Sequence, residues 1–392
     1  MPAPFDPAAA TAAYLAVLPP EAHTKATAYT QGGHWLLLWS AIVAVAIAWA
    51  VLRSGVLVRL RERLERGGPQ PWRMSVAVVF VYGLIEAVIG LPWSLYSGWW
   101  REKTYGLTSQ PLGGWLSEWA IDLAISAVLL SLLLSAVYAV IRRLPRTWWI
   151  WGGGITGVGF LTLMVLSPVF IEPLFNDYTP APPGQVRETV VAMAKANGVP
   201  SDKIYIYDGS KQSNRYTANV SGVFGTARIA MSDVMFKKDA DIAEVRAVVG
   251  HEMGHYVHTH SIWIMLGLST LALIGFFMVD RLFPAVQAGV PAAGVRGLAD
   301  PAGYPILSII LTVLGLLATP LQSSIIRIAE SDADSFSLQR FNEPDGLAKA
   351  LVKTIEHRAA TPSRLEEVLF YDHPSVGARV RKAMDWKAAH PE

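Results

Sequence analysis

His251, Glu252 and His255 stand in the pattern His-Glu-x-x-His, directly after a run with helical periodicity from Asp241 to Gly250. On a helix, positions i and i+4 share a face. Both imidazoles can therefore bind one cation while Glu252 points alongside at a bound water. Neutral nitrogen ligands of this kind suit Zn²⁺, one ion per chain. The chain has no cysteine, so disulfides, thiol nucleophiles and thiolate sites are excluded together. Chance gives the pattern in roughly one of a hundred shuffled chains of this composition. The bland alternative is a polar helix face at a membrane border.

A catalytic zinc takes three protein ligands and keeps one position open. The continuation that supplies a third His soon after the second fails here, because its offsets hold His258 and Ser261. A second helix offers Glu330, with Asp334 one turn on. Asp334 is placed to accept the free N–H of a ligating His and fix its tautomer, or to be a plain surface charge. For Glu330 the alternative is a solvated carboxylate paired with Arg327. His258 and His260 read as boundary residues rather than ligands.

The elements that must bring these groups together are membrane helices. Only 16% of the 392 residues are charged and 52% are hydrophobic, with a mean hydropathy of +0.33, against about 25% charged in an ordinary soluble domain. Six stretches approach the ~20 apolar residues of a span: roughly 35–52, 74–95, 119–141, 148–171, 262–280 and 304–325. Ala8 to Leu18 lacks a basic flank and meets Pro19 and Pro20, and reads as a peripheral arm. The net charge of +2 gives no reason to expect a nucleic-acid partner. The partners expected are the lipid bilayer and a peptide or protein substrate.

The expected fold is mainly α: a polytopic helical membrane protein of about six spans with an α+β peptidase domain. Residues 1–171 form a membrane region of four spans; residues 172–392 form the peptidase domain, interrupted by the other two. Within it, Val186 to Asn197 reads as a helix capped at Gly198. Lys203 to Tyr207, Ala218 to Val223 and Ala227 to Met231 read as strands, the last two a hairpin. The His-Glu-x-x-His helix runs into the fifth span, and Glu330 lies one to two turns beyond the sixth. Antiparallel spans return the chain to one membrane face, so these segments meet at one end of a helical hairpin. Glu86 lies inside the second span, where an ionisable group faces a cavity or a partner.

His-Glu-x-x-His, Glu330-x-x-x-Asp334 and His373-Pro374 together resemble the Ste24 type of CAAX prenyl protease, the M48 zinc metallopeptidases. Leu91 to Tyr96 with Glu102 to Gly106 resembles the family's LPxSxY...EExxGF segment, and Phe170 to Phe175 its FIxPLF segment. His260, nine residues after His251, fits the family's HELGHxxxGH pattern. The resemblance implies a gluzincin-like domain capping a chamber among the spans, with Glu86 and Asp122 on its wall. It implies Zn²⁺ on His251, His255 and Glu330, with Glu252 as general base. His373 would donate to the oxyanion, or else cap a helix before Pro374. Substrate would add as a strand along Ala218 to Gly222, past Ala218 and Asn219, unless this is an ordinary hairpin edge. Arg327 and Arg379 are candidate binders of a substrate C-terminal carboxylate, or members of local ion pairs.

Three features depart from the family. Six spans stand where its eukaryotic members have seven, Thr217-Ala218-Asn219 replaces Asn-Ala-Tyr, and Ile326-Arg327 replaces Ser-Arg. The activity expected is a membrane zinc endopeptidase cutting near the C-terminus of membrane-associated substrates, lipidated (prenylated) CAAX tails being what the family implies. The alternatives are quality control of membrane proteins, as in HtpX-type peptidases, and a non-hydrolytic zinc-binding channel or scaffold, against which the retained Glu252 stands. A bacterial inner membrane is the expected location. The excess of Arg in loops 53–73, 142–147 and 280–303 would make that side cytoplasmic, whereas the family topology puts the peptidase domain there.

Overall fold

The computed structural model describes residues 5–213, 217–222, 225–236 and 240–391. The chain opens with α1 (Pro7–Leu15), started by Asp6, whose side chain accepts from the Ala8 N–H at 2.8 Å. The long α2 (Pro20–Ser54) begins on a proline and stops at Gly55, whose φ of 65° is the left-handed turn that ends a helix. Short amphipathic α3 (Val56–Glu65) leads to α4 (Pro71–Leu95). Pro92 denies α4 a backbone donor, and the chain passes through a π turn at Tyr96–Trp100 into α5 (Arg101–Tyr105). Two further apolar helices follow, α6 (Leu112–Arg143) and α7 (Trp148–Leu166).

The peptidase half begins with β1 (Tyr178–Pro180), α8 (Gln185–Ala196), β2 (Ile204–Tyr207), β3 (Ala218–Ser221) and β4 (Arg228–Ser232). The sheet order is β1-β2-β4-β3, with β2 parallel to β4 and the outer pairs antiparallel. Helices α9 (Ile242–Val257), α10 (His260–Gly289) and α11 (Tyr304–Phe341) come next. Helices α12 (Pro344–Lys353), α13 (Arg364–Phe370) and α14 (Val376–Ala389) close the chain.

Among the described residues six helical segments are long and apolar enough to cross a membrane: 20–54, 71–105, 112–143, 148–174, 260–289 and 301–341. Each contains one of the six expected spans. The expected strands form with ends shifted by one or two residues; Val223 lies outside the described residues. Strand β1, which no alternation announces, pairs with β2.

The N-terminal arm lies on the peptidase end: no residue of α1 is buried, and Ala10, Tyr14, Leu15 and Leu18 pack part-buried against a core that includes Leu347, Val380 and Met384. The Tyr14 hydroxyl donates to Asp345 at 2.7 Å. Close packing in the membrane half rests on small residues: a Cβ at Gly153 of α7 would stand 2.9 Å from the Leu273 side chain of α10.

Candidate active site

Helix α9 carries the His-Glu-x-x-His motif against α11, and glycine sets the approach. A Cβ on Gly254, inside the motif, would stand 3.1 Å from Cα of Ala333, which sits between Glu330 and Asp334. One on Gly250 would strike the Phe341 ring at 2.4 Å. The two helices therefore pack closely enough for short side chains from both to converge. His251 Nε2 lies 3.1 Å from Glu330 Oε2 and 3.2 Å from His255 Nε2, and His255 Nε2 lies 3.4 Å from Glu330 Oε1.

These spacings fit a metal. Bonds of 2.0–2.2 Å in a tetrahedron space the ligand atoms about 3.3 Å apart. Glu330 Oε2 is buried and has no hydrogen bond of acceptable geometry, although His251 and His373 imidazole nitrogens stand 3.1 Å away. The carboxylate faces His251 and His373 at Oε2 and His255 at Oε1, and two nitrogens with one carboxylate could hold a metal and leave a position open. The electrostatics agree. Burial by itself would lower the His251 pKa, but the adjacent Asp334 and Glu330 carboxylates more than reverse this and push it up to about 9. The pocket attracts positive charge, which a cation supplies better than a proton.

His251 is held from behind. Its Nδ1 lies 2.9 Å from Asp334 Oδ1, and Arg379 grips that carboxylate with Nε at 2.7 Å and Nη2 at 2.6 Å. Asp334 is fully buried and Arg379 nearly so. Asp334 therefore stands behind His251, where a carboxylate that orients a ligating His would have to be. Arg379 is a different matter. Its guanidinium is taken up by Asp334, so it serves this buried pair and is not free for a substrate carboxylate. Arg327 is likewise engaged: Nη1 donates to the carbonyls of Glu367 at 2.8 Å and Tyr371 at 2.5 Å, and Nη2 to Ser324 at 2.9 Å. Those carbonyls belong to the end of α13 and the turn that carries His373. Sequence spacing cannot show this, because the partners lie 40 and 44 residues away.

His373 reaches the site from the α13–α14 turn. Asp372 Oδ1 lies 2.8 Å from its Nδ1, which aims Nε2 at Glu330 Oε2. The helix that follows is capped by Ser375, whose side chain accepts from Ala378, so His373 is not its cap. Glu252 opens with His251, Glu330 and His373 onto a cavity of ≈ 840 Å³. Burial raises the Glu252 pKa, while His251 and His255 pull the other way. Ala218 of β3 and Val17 and Leu18 of the N-terminal arm also line this cavity. Among the described residues strand β3 is one edge of the sheet, and Asn219 Oδ1 and Ser221 Oγ on it are buried without hydrogen-bond partners. In the membrane half, Glu86 is half-buried and close to Tyr82 and Tyr304, and Asp122 is exposed on α6.

Comparison with known proteins bears on the family and the fold. Residues 8–177 match the family described as CAAX prenyl protease N-terminal, five membrane helices, and residues 180–387 match peptidase family M48. The first match takes in α1 and four of the six spans. A Bacillus subtilis protein named uncharacterized metalloprotease YhfN is 28% identical over 352 residues, covering 87% of this chain and 81% of the relative. An Arabidopsis thaliana CAAX prenyl protease 1 homolog is 25% identical, covering 94% and 88%. The yeast Saccharomyces cerevisiae CAAX prenyl protease 1 is 23% identical, covering 80% and 72%. The crystal structure of S. mikatae Ste24p superposes with a TM-score of 0.73 at 22% identity, covering 94% of this chain and 91% of that one, and so shares the fold.

Proposed function

The chain belongs to peptidase family M48, as a Ste24-type integral membrane metalloprotease, and on that premise we propose that its metal is zinc and that it cuts peptide bonds near the C-terminus of membrane-associated substrates. The observation that carries this reading is the triangle of ligand atoms from His251, His255 and Glu330 with Glu252 opening onto the same cavity. A structural metal site needs the ligands but no general base beside them. Zinc held there would polarise the scissile carbonyl and make its water acidic near neutral pH.

The remaining work falls to this chain's own groups. Glu252 accepts the proton of the attacking water and returns it to the leaving amine; the upward shift of its pKa brings it closer to the operating pH of such a base. His373 Nε2, aimed by Asp372, donates to the developing oxyanion. Substrate adds as a strand beside β3, past Ala218 and Asn219, where main-chain hydrogen bonds bind with little dependence on sequence. The open edge and the unpartnered polar atoms of β3 support this. Lipidated CAAX tails are the substrate class that the relatives' names suggest. By the same analogy the peptidase end faces the cytoplasm of a bacterial inner membrane. Protease protection of a C-terminal tag in sealed vesicles tests that orientation.

Glu252→Gln is the direct test of the hydrolytic reading. It should retain one zinc per chain and lose about 10²–10⁴-fold in cleavage of a C-terminal peptide. Cleavage at the wild-type rate would overturn the assignment. Prenylated and unprenylated versions of one peptide, compared with and without chelator, report whether the lipid matters.

A further inference from the structure

The two candidate ligand imidazoles of α9 rest on different supports, one on α11 and one at the start of α10, and the sequence accounts for only the first. His251 rests directly on Asp334. His255 rests on another histidine: its Nδ1 lies 3.0 Å from Nδ1 of His260, whose Nε2 lies 3.0 Å from Asp332 Oδ2. His260 is the first residue of α10 and 1% exposed. It comes back onto His255 because the chain reverses at Thr259, held at φ 53°, a left-handed conformation that a β-branched residue seldom takes.

Proton accounting fixes the direction of this chain of contacts. A His255 that binds metal through Nε2 carries its proton on Nδ1, so it donates to His260 Nδ1. That nitrogen must then be bare, which places the single proton of His260 on Nε2, donated to Asp332. We propose that His260 and Asp332 are positioning residues for the metal, a His255-His260-Asp332 relay that fixes the tautomer and ring plane of His255. The inference rests on the reading of His255 as a ligand.

The same accounting decides against a rival use of these side chains. His258, His260 and Asp332 offer three atoms within 4.8 Å of one another, enough to suggest a second metal. An ion on His260 Nε2 would force the proton onto Nδ1, against the N–H of His255. The second ion and the relay exclude each other. The two supports also differ in kind. Asp334 is buried and clamped by Arg379, whereas the Asp332 side chain is 46% exposed and shared with His258.

The test uses the full-length protein in detergent, and reads zinc content and the rate of zinc release to a chelator. His260→Leu fills the buried space but cannot accept from His255, and should release zinc about 10–100-fold faster than wild type. His260→Asn, with an acceptor oxygen near the position of Nδ1, should recover most of that loss. Asp332→Asn, a surface change that tests the relay should His260→Leu not fold, should speed release several-fold. His258→Ala should leave it unchanged. A zinc-loaded wild type whose Leu and Asn variants hold zinc equally well overturns the relay alone. Two zinc ions per wild-type chain, reduced to one by His258→Ala, overturn it in favour of the second site. A wild type that binds no zinc overturns the ligand reading, and the relay with it.

Discussion

Glu330 near the C-terminal end of α11 and Asp300 just before its N-terminus are both buried carboxylates, and their surroundings differ in one respect. At the membrane end away from the cavity, Asp300 is closed. Oδ1 accepts from the Ala302 N–H at 3.0 Å, and Oδ2 accepts from the Arg296 N–H at 2.9 Å and from Arg61, itself buried. At the peptidase end Glu330 is open, with Oε2 buried among imidazoles and no hydrogen bond. A buried charge is tolerated only when something neutralises it. At Asp300 the protein supplies that partner, and the result joins α3 to the loop before α11. At Glu330 the groups within reach are the imidazoles of His251, His255 and His373, which can equally turn to a metal.

This contrast can be broken by four changes of decreasing size. Glu330→Gln should cost more than about 100-fold in metal affinity and abolish cleavage, while the thermal unfolding midpoint of the metal-free protein stays put or rises. A large drop in that midpoint would show that Glu330 is closed after all. Asp300→Asn leaves the buried Arg61 guanidinium only the Gly294 carbonyl, Glu62 and Glu65 and should cost up to about 3–5 kcal/mol in stability, read as a lowered midpoint, with one metal per chain retained in whatever stays folded. Gly254→Ala forces α9 away from Ala333 and should cost about 1–3 kcal/mol, with weaker metal binding as the sharper readout because the ligand triangle spans that contact. Arg296→Ala removes an exposed pair with Glu65, and should change stability by less than about 1 kcal/mol.

How much of this was legible in the chain varies with the range of the interaction. That His251 and His255 share a face is a local fact, since helical geometry alone puts them there. Glu330 was legible through topology, because two antiparallel spans must return to the same side. Asp334 followed from Glu330 by one helical turn. Arg379 and Arg327 were visible as charges but not as partners. Their contacts with Asp334 and with the turn before His373 join segments that no periodicity links. His260 was hidden for a different reason. Helical spacing from His255 points it away, and only the left-handed backbone at Thr259 brings it back.

The sequence by itself determined the class of the protein and the inventory of its chemistry. Charge is so scarce that six spans declare themselves, and the absence of cysteine leaves His and carboxylates as ligands. Tertiary structure decided which of those groups are spent on one another and which remain open. It gave Arg379 to Asp334, Arg327 to the His373 turn and α1 to the face of the peptidase core, and it set Glu330 among three imidazoles. The physical reason is that residue type and local period fix what a side chain can donate or accept, whereas its use depends on distances between helices. Here those distances are set by packing at Gly250 and Gly254.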